Sequence, residues 1–128
     1  MTRAETSDAI PILDQAAGYT ERAGHMLGYP LVALLRGEAR IHAQDYEQAW
    51  QEMDALRAIA TTMPQPFVIG GSLQVQAECA LRTGRAELAL ELFQSAEQVF
   101  VKIDAAHRVA QVQAGATRAI AELERTAK

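Results

Sequence analysis

Small and large apolar residues recur along this sequence at one fixed interval, the one that separates Ala9 from Ala49 and Ala49 from Ala89. One helical turn after these alanines, the same interval aligns large apolar residues: Leu13, Met53 and Phe93. Gly37 and Ala77 also coincide, and Ala116 joins them in a third copy that is one residue shorter. Repeats of this length are typical of arrays in which one unit cannot bury its own apolar side and neighbouring units must stack. The repeat therefore favours a stacked array over one closed core.

Each unit of the repeat is predicted to be helical. Alanine, the best helix former, occurs 25 times in 128 residues, whereas aromatic residues make up only 5%. Breaks are predicted at Gly28, at Pro64 and Pro66, and at Gly84. The predicted helices cover residues 8–26, 30–43, 46–62, 67–83, 86–101 and 105–125. The fold class is therefore all-α, with about six antiparallel helices in one domain that covers residues 1–128.

The segment 37–56 resembles the helix–turn–helix core of the tetratricopeptide family. Gly37 matches the small residue of the family's first helix, and Asp45-Tyr46-Glu47-Gln48-Ala49 matches the stretch that opens its second helix. Gly84-Arg85-Ala86-Glu87-Leu88-Ala89 repeats that stretch, and Phe93 then follows at the family's position for a large residue. The interval here exceeds the family's usual period of about 34 residues. Arg40 stands where the family has a tyrosine.

Longer repeats of this kind are similar to the C-terminal arrays of large ATP-dependent bacterial transcription activators, a likeness that rests on the period and on the run 100–105. The resemblance implies three helical hairpins that form a short right-handed α-solenoid, with the first helix of each pair lining a concave face. It implies a scaffold whose concave face holds a peptide or a helix of a partner protein. The residues assigned to that face are Leu34, Glu38, His42, Gln74, Glu78, Arg82, Gln113 and Thr117. At each position the alternative is an ordinary solvated helix residue.

Two expectations concern the core. Trp50 shares its position in the repeat with Ile10 and Leu90, which predicts burial between repeats. The last predicted helix carries an apolar stripe that is expected to pack against the fifth: Val109, Val112, Ala116, Ile120 and Leu123.

Charge and apolar content exclude several classes of partner. The net charge is −4 and the cationic residues are scattered, whereas a nucleic-acid binder presents a basic face. No stretch approaches the roughly 18 apolar residues of a membrane span. The single cysteine, Cys79, cannot form an intrachain disulfide and fits a reducing compartment. We therefore expect a cytoplasmic protein that binds neither nucleic acid nor membrane.

No constellation of residues predicts catalysis, a metal or a cofactor. His25, His42 and His107 are far apart in sequence and none lies in a metal-binding motif. Cys79 lies among small residues of a predicted helix, which favours a core position over a nucleophile. The stretch Ile69-Gly70-Gly71-Ser72 lacks the spacing and the lysine of a phosphate-binding loop, and it favours close helix packing or a loose start of a helix instead. An enzyme is therefore not expected.

Three functions remain open. The first is a protein-interaction module with its ligand on the concave face. The second is a domain that senses a small-molecule effector within a transcription regulator, with His42, Glu78 and Arg82 as polar contacts. The third is self-association as a homodimer through exposed repeat ends.

Overall fold

A computed structural model of the chain describes residues 10–12, 14, 29–62 and 65–127. Within this part it contains no strand, and the all-α prediction is confirmed for these residues. The helices that it delimits are α1 (Tyr29–His42), α2 (Tyr46–Thr62), α3 (Pro66–Arg82), α4 (Ala86–Lys102) and α5 (Ala106–Thr126). Their bounds differ from those predicted by at most one residue at each end. Most of the predicted helix 8–26, including His25, lies outside the described residues.

Three-residue turns join α1 to α2, α3 to α4 and α4 to α5, and each has its central residue in the left-handed region. These central residues are Gln44 (φ 64°), Gly84 (φ 82°) and Asp104 (φ 56°). One residue later, the backbone N–H donates to a carbonyl five residues back: Asp45 to Arg40 (2.9 Å), Arg85 to Ala80 (2.8 Å) and Ala105 to Phe100 (3.0 Å). This bond satisfies a carbonyl that the end of a helix would otherwise leave unpaired. The turns after α1 and α3 thus repeat the same geometry at the interval of the sequence repeat, since Gln44 and Gly84 occupy equivalent places in it.

Gln44 occupies a conformation that costs most residues with a side chain about 1–2 kcal/mol. We expect Gln44→Gly to raise the free energy of unfolding by about 0.5–1 kcal/mol, because relief of this cost exceeds the extra flexibility of glycine in the unfolded chain. The reverse test is Gly84→Ala, whose new methyl meets no atom of the described residues within 4 Å and should lower stability by about 1 kcal/mol through backbone strain alone. Urea unfolding measures both changes, and a destabilised Gln44→Gly variant would contradict the strain assigned to this turn.

Among the described residues, the backbone of each helix approaches only the helices one or two places along the chain. Each helix packs on the next, α1 also lies beside α3, and α3 lies beside α5. Within this part of the chain, the backbones of α1 and α5 do not approach one another, and neither do those of α2 and α4. The helices α1, α3 and α5 therefore form one row, with α2 and α4 on its other side.

The apolar core is divided into two clusters that share α3. The first lies between α1, α2 and α3 and includes Leu34, Met53 and Leu56, which are 0–2% exposed. The second lies between α3, α4 and α5 and includes Phe93 and Phe100, which are also buried. Trp50 is partly buried and packs against both clusters, in agreement with its predicted place between repeats.

Glycines bring the helices of the row close to large side chains. A Cβ placed on Gly71 would lie 2.9 Å from a methyl of Leu34, and one on Gly115 would lie 2.8 Å from Cδ1 of Phe93. The stretch 69–72 lies inside α3, where Gly70 and Gly71 are buried. Its glycines therefore allow helices to approach, as the sequence predicted, because no other residue leaves this space.

Arg40 stands where the resemblance predicts a tyrosine. Its side chain connects α1 to α2. Its Nε donates to Glu52 on α2 at 3.0 Å, and its Nη1 donates to Asp45 in the turn at 3.1 Å. A polar bridge thus joins α1, α2 and the turn between them.

Candidate binding groove

One face of each helix in the row α1, α3 and α5 borders a common groove of about 480 Å³. On α1 and α3 the polar lining residues are spaced by four, as one face of a helix requires: Glu38 and His42, then Gln74, Glu78 and Arg82. On α5 the corresponding residues are His107, Arg108, Gln111 and Arg118. Residues as distant in the sequence as Glu38 and Arg118 therefore face one space.

Five of the eight residues assigned to a concave face line this groove: Glu38, His42, Gln74, Glu78 and Arg82. Leu34 does not, because its side chain is fully buried beside Gly71 in the first core cluster. Its assignment to the binding face was wrong, since a buried side chain cannot reach a ligand. The part of the other five in binding stays a prediction.

The two residues assigned on α5 are also outside the groove lining. Gln113 is turned toward α4, where its Nε2 donates to Glu97 at 3.0 Å, and the hydroxyl of Thr117 donates to the carbonyl of Gln113 at 3.0 Å. The rotation of α5 explains this, because its fully buried face consists of Val112, Gly115 and Ala119. The predicted stripe was therefore wrong in part: Ile120 is 43% exposed. The spacing of Val112, Gly115 and Ala119 was the signal that would have placed Arg108, Gln111 and Arg118 in the groove.

Arg108 connects the three helices of the groove at one end. Its Nη1 donates to Oε1 of Glu38 on α1 and to Oε1 of Gln74 on α3, each at 3.0 Å. Its guanidinium also lies 4.9 Å from the centre of the Phe67 ring, a distance at which a cation is attracted to the ring face. The side chain is only 19% exposed, so this end of the groove is held in a defined arrangement.

Two arginines share one carboxylate at the other end of the groove. Arg118 on α5 contacts both oxygens of Glu78, and Nε of Arg82 donates to Oε2 of the same residue at 3.4 Å. Glu78 is 18% exposed, whereas the two arginine side chains are 46% and 49% exposed. The carboxylate is therefore enclosed by the pair, while nearly half of each arginine side chain remains exposed.

The charge of the groove differs in sign from that of the chain. Its lining holds three arginines and two glutamates, an excess of one positive charge, while the whole chain carries −4. Cations of a neutral or acidic protein are normally dispersed over its surface, so their collection in one concavity raises the local concentration of anionic ligands.

Comparisons with models of protein families, with curated proteins and with solved structures found no match. Among the described helices, none has the length and apolar character needed to cross a membrane. Over the same residues, no group of three or more histidine, cysteine, aspartate or glutamate side chains is arranged to hold a metal ion.

Cys79 lies beneath the groove floor, in the first core cluster. Its side chain is fully buried and Sγ donates to the carbonyl of Tyr46 at 3.4 Å. Burial raises the pKa of the thiol from 9.0 to about 12. Such a cysteine is a core residue, as the sequence predicted, because the reactive thiolate is disfavoured.

The thiol of Cys79 should therefore resist modification while the chain is folded. At pH 8 the higher pKa reduces the thiolate fraction about a thousandfold, and burial excludes the reagent as well. Labelling with a chromogenic disulfide should proceed only as fast as the protein opens, and should become rapid in concentrated urea. Complete labelling of the native chain within seconds would contradict this prediction.

Proposed function

We propose that this chain is a tetratricopeptide-like interaction module that binds a peptide or a helix of a partner protein in the groove of α1, α3 and α5. The observation that carries the proposal is that three helices, separated in sequence by α2 and α4, contribute matching faces to one groove. Helices placed side by side in a row offer a long surface, and such surfaces are how repeat arrays hold extended ligands.

Three features of the fold support a repeat array. The backbones of the described helices approach only near neighbours along the chain, the core is divided into two clusters, and equivalent turns recur at the interval of the sequence repeat. In a repeat array each unit completes the core of the next, which accounts for α3 belonging to both clusters.

The dimensions and chemistry of the groove fit a peptide. Helix α3 has 17 residues, which corresponds to a length of about 25 Å. Exposed apolar side chains adjoin the charged lining: Leu31 and Leu35 lie on α1, and Phe67 on α3 is 37% exposed. Apolar anchors beside polar groups that fix register are the usual means of peptide recognition.

A steric block of the groove tests this proposal without altering its charge. Peptides of about sixteen residues, which span about 24 Å as a helix, are selected on the immobilised chain from a phage-displayed random library. Ala114 is exposed and lines the groove, so Ala114→Trp should weaken binding of the selected peptides at least about tenfold by filling their site. Fluorescence anisotropy of labelled peptides gives the affinity.

The matched control is Gln98→Trp, which places the same side chain on an exposed position of α4, outside the groove. It should leave binding within about twofold, since surface contacts far from a binding site contribute little. Selected peptides that bind equally well to the Ala114→Trp variant, or a library that yields no binder at all, would contradict the proposal.

A second candidate is the sensing of a small-molecule effector, which the volume of the groove favours. At about 480 Å³ it falls within the range of about 300–1,000 Å³ that drug-sized ligands occupy. A thermal-shift screen of metabolites distinguishes the two functions, because a ligand that binds the native state raises its melting temperature. A metabolite whose effect is abolished by Ala114→Trp, in the absence of any peptide binder, would favour this second function.

A further inference from the structure

We infer that the segment bound in the groove is acidic, with a carboxylate that pairs with Arg82 and Arg118 and an apolar side chain that packs near Leu35 and Phe67. This inference rests on the proposed function and names the class of partner. The proposed occupant of the groove is an acidic segment of a partner protein. A basic or uncharged segment is not expected to bind there.

The arginine pair is incompletely neutralised. Glu78 is the one carboxylate within ion-pair distance of Arg82 and Arg118 among the described residues, so two positive charges face a single negative one. The hydroxyl of Tyr46 also interacts with Arg82, but it carries no compensating charge. One unit of positive charge at this end therefore remains for a ligand.

That charge is accessible. Nearly half of each arginine side chain is exposed, at 46% and 49%, while Glu78 is held beneath them. Arginine binds carboxylates through two parallel N–H donors, which makes an exposed pair a better site for a carboxylate than for any uncharged group. A basic segment would instead have to approach two guanidinium groups that screen Glu78.

Next to the opposite end of the groove, outside its lining, the exposed surface includes apolar side chains. Arg108 there is already paired with Glu38 and Gln74 and lies over Phe67, so its charge is neutralised. Leu35, one turn before Glu38 on α1, is 42% exposed, and Phe67 is 37% exposed. These side chains can cover an apolar group of the ligand.

The separation of the two ends limits the pattern of the ligand. Phe67 precedes Glu78 by eleven residues on α3, which places them about 16 Å apart along the helix axis. A ligand that spans this distance has its apolar anchor and its carboxylate about eleven residues apart if helical, or about five residues apart if extended.

The experiment uses the selected peptides and reverses one charge. We expect the selected pool to be enriched in aspartate and glutamate together with leucine or phenylalanine, and its affinity to fall as salt is raised.

Arg118→Glu should weaken binding at least about tenfold. Arg125→Glu is the matched control, since Arg125 is an exposed arginine of the same helix that pairs with Glu122 outside the groove, and it should change affinity less than about twofold. Circular dichroism checks folding, and Arg118→Gln replaces any variant that does not fold.

Different failures identify which proposal is at fault. Neutral or basic peptides that are blocked by Ala114→Trp but unaffected by Arg118→Glu would overturn the acidic ligand and leave the interaction module intact. The absence of any peptide blocked by Ala114→Trp would overturn both. If citrate or inorganic phosphate alone raises the melting temperature as much as the best peptide does, the ligand of the groove is a small anion and not a protein segment. Light scattering tests whether the chain self-associates. If it does, and if Arg118→Glu abolishes the association, the occupant of the groove is a second copy of the chain and not an acidic partner segment.

Discussion

Phe93→Ala is expected to lower the free energy of unfolding by about 3–5 kcal/mol. The ring is 1% exposed in the second core cluster and fits against Gly115 of α5, which has no side chain to fill the space that the ring would leave. The loss therefore combines the transfer energy of a large apolar group with the cost of a cavity. Urea unfolding followed by circular dichroism measures the change.

Phe67→Ala provides the control for Phe93→Ala. Phe67 is 37% exposed and meets the edge of Phe100 with ring centres 5.9 Å apart, so less apolar surface is lost on truncation. We expect less than half the effect of Phe93→Ala, because the burial contribution scales with the area removed from water. Equal losses for the two variants would show that the second cluster is not centred on Phe93.

Leu34→Ala should lower the free energy of unfolding by about 2–5 kcal/mol. Leu34 is 0% exposed and its methyl groups fill the space above Gly71, where α1 approaches α3. This substitution decides whether the residue belongs to the core or to the binding face, since a groove residue would affect affinity and leave stability nearly unchanged.

The adjacent residue supplies the matched control for Leu34→Ala. Leu35 has the same side chain on the same helix but is 42% exposed, so Leu35→Ala should cost less than about 1 kcal/mol. We expect the reverse order in peptide binding, where Leu35→Ala weakens affinity and Leu34→Ala matters only through folding. If the Leu34→Ala variant is stable but no longer binds the peptide, Leu34 belongs to the binding face and not to the core.

Helix positions were predictable because they depend on local chemistry. Proline and glycine mark the helix boundaries at Pro66 and Gly84, and alanine-rich segments between such breaks have few alternatives to a helix. The same locality explains why the predicted bounds differ by no more than one residue from those of the five described helices.

On α1 and α3 the predicted face agrees with the groove lining at every assigned residue except Leu34, whereas on α5 it agrees at neither of the two assigned residues. The interval of the repeat carried the positions of Glu38 and His42 onto Glu78 and Arg82, because α1 and α3 sit in equivalent places of the repeat. On α5 the prediction used an interval one residue shorter, whereas the groove keeps the full interval, which carries Gln74 and Glu78 onto Ala114 and Arg118. One residue corresponds to a rotation of about 100° around a helix, and this error selected Gln113 and Thr117 in place of Ala114 and Arg118.

The sequence by itself determined the helical class, the helix ends and the repeating turns, since these follow from the conformational preferences of a few consecutive residues. Only the tertiary structure decided which side chains meet. The contacts of Arg108 with Glu38 and of Arg118 with Glu78 join residues 70 and 40 positions apart. Their geometry depends on how far each helix turns to seat a large side chain against a glycine, as Phe93 does against Gly115. That packing is a property of pairs of surfaces, and neither surface specifies it alone.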